Sequence, residues 1–189
     1  MSGALPPPLF STYMDMVRAE NSRGGLHCYP GSPRIAHNLL RKQDKLQLFE
    51  LHSTDHQILA SFFDLTDKRT IIYADDGFAN LKALLPPPSR RALILIDPSY
   101  ELREDYSRVI HVLREALQKF PSGMYAIWYP QLPRLESVQF AKRLKALPAE
   151  NWLHVSLSVR KPTAGGFGMY GSGMFIINPP WTLADTLRQ

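Results

Sequence analysis

Asp97-Pro98-Ser99-Tyr100 follows the apolar run Ala92-Leu93-Ile94-Leu95-Ile96. That run reads as a buried strand, and its end delivers a carboxylate, the carbonyl of a rigid proline and an aromatic ring to one point. The three groups suit a flat heterocycle that carries an amino group. An adenine amine is a poor nucleophile, because its lone pair is delocalised into the ring. Hydrogen bonds from the amine to the Asp97 carboxylate and the Pro98 carbonyl favour a tetrahedral nitrogen whose lone pair points at an electrophilic methyl. Holding both reactants in line is the main contribution, and the acceptors stabilise the charge that develops. Tyr100 is expected to stack on the base once the base leaves its helix or loop. Asp-Pro-Ser is also ordinary turn chemistry, so the tetrapeptide has to be weighed with its surroundings.

Two other predicted strands end in acidic residues. Leu46–Phe49 runs into Glu50, and Thr70–Tyr73 runs into Ala74-Asp75-Asp76-Gly77. In an open α/β sheet, ligands bind beyond the carboxyl ends of the parallel strands. A carboxylate at the position of Glu50 can accept both hydroxyls of a ribose. Asp76, beside Gly77, can accept from an adenine amine, or its backbone can approach a ring closely. Acidic residues at strand ends also cap helices, and Asp76 alone fits that role equally well. Asn178-Pro179-Pro180-Trp181 also follows an apolar strand and is a rival for the acceptor motif. A final antiparallel strand would carry it to the opposite rim from Glu50, Asp76 and Asp97, where it reads as a packing turn.

The elements that position these residues alternate. Phe10–Ala19 has helical spacing. Ser32 is expected as the N-cap of a helix with Pro33 at its first position, running to about Lys42. Asp55–Phe63, Phe78–Leu85, Tyr106–Phe120 and Leu135–Leu147 read as helices. Met124–Trp128, Trp152–Val159 and Met174–Ile177 read as strands, the last two joined by a loop containing Gly165, Gly166, Gly168, Gly171 and Gly173. Leu5–Pro8 reads as an extended lead-in. The order predicts an α/β fold with a mostly parallel sheet and an antiparallel C-terminal edge.

The chain has 189 residues, 44% of them hydrophobic, which suits one folded domain rather than a disordered chain. Its net charge of +5 fits a polyanionic partner such as nucleic acid. A single cysteine, Cys28, excludes an intrachain disulfide. With no signal-like N-terminus and no apolar run near ~20 residues, a cytoplasmic location is expected. His27, His37, His52 and His56 lie in one region with Cys28 but lack the spacing of a zinc site, so no metal is expected. Arg41, Lys42, Lys45, Lys142, Arg143 and Lys145 could touch phosphates, although a solvated helix face explains any one of them.

The chain resembles the RlmJ family, bacterial methyltransferases that use S-adenosylmethionine to modify an adenine N6 of large-subunit ribosomal RNA. The matching stretches are residues 29–33, 46–52, 74–78, 93–101, 125–130 and 171–181, in the family's order. The resemblance implies a Rossmann-like methyltransferase sheet, with Ser32, Glu50, Asp76 and Gly77 at the cofactor and Asp97 as the catalytic residue. Pro98 and Tyr100 complete the catalytic set, and ribosomal RNA, with the adenine flipped into the site, is the implied partner. Ser99 stands where the family has a second proline. The family's first strand, central in its sheet, and its glycine-rich turn have no counterpart in Met1–Pro30. Residues 1–28 are therefore expected as a helical lead-in and 29–189 as an incomplete methyltransferase domain, a fragment that binds S-adenosylmethionine weakly or not at all. Alternatives are a non-catalytic nucleic-acid-binding protein of the same fold, linked to use of external DNA, and a methyltransferase acting on DNA or a small amine.

Overall fold

The computed structural model describes residues 8–63, 67–161 and 168–188. Residues 5–7 of the expected lead-in, and Gly165 and Gly166, lie outside them. The chain forms two compact units, one comprising Met1–Gly77 with Thr186–Gln189 and the other Phe78–Asp185.

The first unit holds α1 (Pro8–Glu20), α2 (Ser32–Leu39), β1 (Leu46–Phe49), α3 (Ser53–Ser61) and β2 (Thr70–Tyr73). Asn21 closes the turn after α1. Its side-chain oxygen accepts from the amides of His27 and Cys28, both at 2.8 Å, and its amide nitrogen donates to the Cys28 carbonyl at 2.7 Å. Arg34 Nε donates to Glu20 at 2.8 Å and ties α2 to α1. The cap of α2 is Gly31, not Ser32. Gly31 is extended, and its carbonyl accepts the first helical hydrogen bond from Ile35, which leaves Ser32 as the first helical residue. The helix stops at Leu39, short of Lys42. Leu40 is extended, and Asp44 folds the next turn by accepting from the Arg41 amide and guanidinium. β1 and β2 pair in parallel, Leu46 with Thr70 through Phe49 with Tyr73. Parallel neighbours share a carboxyl rim, so Glu50 and the Asp75–Asp76 turn leave the pair on the same side.

The second unit begins within α4 (Gly77–Leu84) and continues through β3 (Leu93–Ile96), α5 (Arg103–Lys119), β4 (Met124–Gln131), α6 (Leu135–Lys145), β5 (Trp152–Ser158) and β6 (Gly171–Ile177) into α7 (Leu183–Thr186). Its sheet has the order β3-β4-β6-β5. β3 and β4 are parallel, with Leu93 beside Met124 and Ile96 beside Ile127. β6 runs antiparallel to both of its neighbours. The antiparallel character expected at this end of the sheet therefore belongs to β6, and the outermost strand β5 runs with β4.

The two faces of this sheet differ. Tyr125, Ile127, Tyr129, Phe175 and Ile177 point to one face and are buried with Tyr106, Val109 and Leu113 of α5 and Phe140 and Leu144 of α6. The helical positions recur three and four residues apart, one apolar stripe per helix. Burying each such side chain stabilises the unit by about 1.5–3 kcal/mol. Period-two alternation sends Leu93, Leu95, Met124, Ala126, Trp128, Met174 and Ile176 to the other face. There Leu93 is 64% exposed and Leu95 45%. Among the described residues β3 pairs with β4 alone, and β1 with β2 alone.

Candidate active site

Asp97 and Pro98 leave β3 at its carboxyl end, where Ile96 is the last residue paired with β4. Continuing that register by one residue sets Asp97 opposite Trp128. The Asp97 side chain is exposed on its outer side. Protein packed around the remainder removes enough water to push its carboxyl above the ordinary carboxylate range. A carboxylate so placed is a strong hydrogen-bond acceptor that still reaches solvent.

Tyr100 does not occupy the place expected for it. Its backbone has φ +54°, a sparsely populated conformation for a residue with a side chain. The turn folds the ring back into the core, where only 1% of the residue is exposed. The ring packs on Tyr106 at 4.8 Å, Phe140 at 5.9 Å and Trp128 at 6.4 Å between centroids. Its hydroxyl donates to the Trp128 carbonyl at 2.7 Å. Burial, and then the charge of Asp97, drive the phenol far above its usual pKa, so it stays protonated as a donor. With the ring buried and its hydroxyl bonded to β4, Tyr100 anchors the loop from inside the unit.

Arg134, at the N-terminus of α6, secures the same loop. One guanidinium nitrogen donates to the carbonyls of Tyr100 at 3.3 Å and Glu101 at 3.5 Å. Ser99 is exposed and occupies no packed position. Sequence reading missed Arg134 because nothing in its spacing marks it. It missed Trp128 too, although the inward alternation of Tyr125, Ile127 and Tyr129 was a signal that Trp128 faces the other way.

Glu50, Asp76, Gly77 and Ser32 belong to the first unit. Glu50 Oε1 accepts from the His52 amide at 2.8 Å, and the Glu50 amide donates to the Tyr73 carbonyl at 3.0 Å. Phe49 and Tyr73 stack beneath, 4.7 Å apart and 12° from parallel. The Asp76 amide donates to Asp75 at 2.7 Å, which tightens the turn into α4. A Cβ at Gly77 would lie 3.1 Å from the Cβ of Phe49, so glycine permits a close approach at this point. Ser32 is exposed at the start of α2. The far end of that helix touches the start of β2, through His37 Nδ1 and the Thr70 hydroxyl at 2.9 Å. That contact ties the C-terminal end of α2 to β2. Two acidic side chains and a tight glycine on one parallel rim fit the ribose and adenine of a nucleoside cofactor.

His37 lies 3.8 Å from Asp67, and His52 lies 3.5 Å from Asp55. Among the described residues no three His, Cys, Asp or Glu side chains are grouped to hold a metal ion. Nor is any helix there long and apolar enough to cross a membrane.

The rival Asn178 sits at the opposite end of the sheet from Asp97, because β6 is antiparallel to β4. Its φ is +53°, and its side-chain amide donates to the carbonyls of Pro121 at 2.7 Å and Gly123 at 2.8 Å. Asn178 is thereby tied to the turn between α5 and β4. Trp181 beyond it is 90% exposed.

Comparison with known proteins adds three findings. The model of the family described as ribosomal RNA large subunit methyltransferase D, RlmJ, matches residues 4–189. The chain is similar to two curated proteins called ribosomal RNA large subunit methyltransferase J. It is 45% identical to the one from Escherichia coli K12, over 96% of this chain and 64% of that protein. It is 42% identical to the one from Haemophilus influenzae Rd, over 97% of this chain and 65% of that protein. The chain thus spans just under two thirds of the length of both. A crystal structure of a Legionella pneumophila protein is 37% identical with a TM-score of 0.88, covering 97% of this chain and 67% of that one.

Proposed function

From a chain that belongs to the ribosomal RNA large subunit methyltransferase family RlmJ, we propose that the whole protein methylates the exocyclic N6 of an adenine in large-subunit ribosomal RNA. The observation that carries this reading is the Asp97-Pro98 pair at the carboxyl end of β3, held by Tyr100 and Arg134.

The acceptor adenine is flipped out of its RNA fold into the site. The Asp97 carboxylate and the Pro98 carbonyl accept hydrogen bonds from its amine. The nitrogen is thereby held with its lone pair directed away from the two acceptors. Asp97 stabilises the positive charge that grows on the nitrogen, and the fixed loop supplies this without reorganising. S-adenosylmethionine, when bound, supplies an electrophilic methyl group. Glu50 is assigned to its ribose hydroxyls, Asp76 and Gly77 to its adenine, and Ser32 to the same cofactor. The net charge of +5 favours a polyanionic substrate. Action on ribosomal RNA implies a cytoplasmic protein.

The test is transfer of tritium from labelled S-adenosylmethionine to a large-subunit ribosomal RNA transcript by the full-length protein. Asp97→Ala is expected to cut transfer by roughly a hundredfold or more. RNA binding without label from the parent protein would instead favour a non-catalytic binding role. Label entering DNA but not RNA would reassign the substrate.

A further inference from the structure

We propose that the indole of Trp128 is the surface on which the acceptor base stacks while Asp97 holds its amine. The inference rests on the adenine reading above and deepens it by naming the aromatic wall of the acceptor pocket.

Three features of the second unit place Trp128 there. The first is register. β3 stops at Ile96, opposite Ile127, whereas β4 runs on to Gln131. Trp128 is therefore the first residue of β4 with no β3 partner, and it stands beside the loop that carries Asp97. The second is the face. Ile96 and Ile127 are buried on the helix-covered side. Alternation turns both Asp97 and Trp128 to the other side. Trp128 keeps part of its surface open there, while Tyr125, Ile127 and Tyr129 beside it are fully covered. The third is anchorage. The Tyr100 hydroxyl bonds the Trp128 carbonyl, so the carboxylate and the indole belong to one braced assembly. A purine needs both hydrogen-bond acceptors at its edge and an apolar plane against its ring. Trp128 packs partly against the core and the Tyr100 ring, 6.4 Å away, and among the described residues it is the β4 aromatic that alternation turns to the face of the carboxylate.

The experiment uses the full-length protein. Trp128→Ala is expected to lower kcat/KM for ribosomal RNA by roughly tenfold or more, the effect of losing one base–aromatic stack. Binding of S-adenosylmethionine should be unchanged, and Trp128→Phe should restore most of the rate. Circular dichroism checks that each variant is folded. Ultraviolet crosslinking of the same RNA to the Asp97→Asn variant, read by mass spectrometry, should put an adenosine on Trp128. A folded Trp128→Ala variant with unchanged kcat/KM overturns the inference, and so does crosslinking confined to other residues. If the parent transfers no methyl group but the Trp128 crosslink persists, the enzymatic reading fails and the stacking surface stands. Normal transfer without that crosslink has the opposite meaning.

Discussion

The hydroxyl of Tyr100 donates to the backbone carbonyl of Trp128 at 2.7 Å, joining the loop after β3 to the strand beside it. The bond spans 28 residues of sequence and braces the turn that presents Asp97. Removing the donor leaves a half-buried carbonyl short of a partner. Tyr100→Phe is expected to cost about 1–3 kcal/mol of stability, and to lower the methyl-transfer rate more than it raises KM for RNA. Chemical denaturation together with steady-state kinetics measures both.

Asp97 yields a prediction in pH. Its carboxyl is raised above the ordinary carboxylate range by burial. An acid whose folded pKa is raised contributes stability that is complete below its unfolded pKa and lost as pH rises through the folded value. Asp97→Asn keeps a neutral group at every pH. The variant should therefore gain stability over the parent as pH rises from acid to neutral, with no advantage in acid. Activity runs the other way, because the acceptor must be ionised: the parent's rate should fall on acidification through that raised pKa. Melting temperatures and rate profiles across pH test the two signs.

Phe140 has three aromatic neighbours, Tyr100, Tyr106 and Tyr129, at 5.9, 5.0 and 5.3 Å between centroids, and is wholly buried. Phe140→Ala is expected to destabilise the protein by about 3–5 kcal/mol. Because Tyr100 leans on the same ring, the variant should lose methyl transfer at temperatures where it is still mostly folded. Comparing thermal unfolding with activity at each temperature checks this.

Asn178→Ala should separate structure from chemistry. It removes two hydrogen bonds to Pro121 and Gly123 and leaves a Cβ residue at φ +53°. The expected loss is about 1–3 kcal/mol. Activity per folded molecule should be unchanged, since the turn is on the rim away from Asp97. An activity loss as large as that of Asp97→Ala would move the acceptor role to Asn178.

At Asp67 the Arg69 guanidinium holds the carboxyl down to about 2. A lowered acid contributes stability above the ordinary carboxylate range and loses it as pH falls toward that value. Asp67→Asn should narrow the stability gap between neutral and strongly acid solution, as read from melting curves.

Much of this was legible from residue pattern. Leu46–Phe49 and Thr70–Tyr73 end where the apolar runs end, because Glu50 and the Ala74–Gly77 turn break them. β4 and β6 are longer than their apolar runs, for steric reasons that spacing does not carry. Pro130 reads as a stop, yet its carbonyl accepts from Ser137, so its missing N–H also faces away from β6, past the end of β3. Gly171 and Gly173 read as loop, yet they are in β6. The Tyr129 ring occupies the space a side chain at Gly173 would need, and the Gln131 side chain crowds Gly171. The Tyr100 ring was misplaced for a similar reason. Only the left-handed turn decides whether an aromatic after Asp-Pro-Ser faces the ligand or the core.

The exposed leucines of β3 set a constraint on how the chain can be handled. Among the described residues β3 is paired along one edge only, with Leu93 and Leu95 standing out beside the other. Unpaired backbone groups next to exposed leucines are a template for another strand of the same kind. Closure of that edge from within a single molecule is first order, whereas pairing between copies grows with concentration. Dilution during synthesis or refolding therefore favours the monomer, and crowding favours stacked copies. The strand that presents the Asp97 carboxylate is thus also the one through which copies would pair.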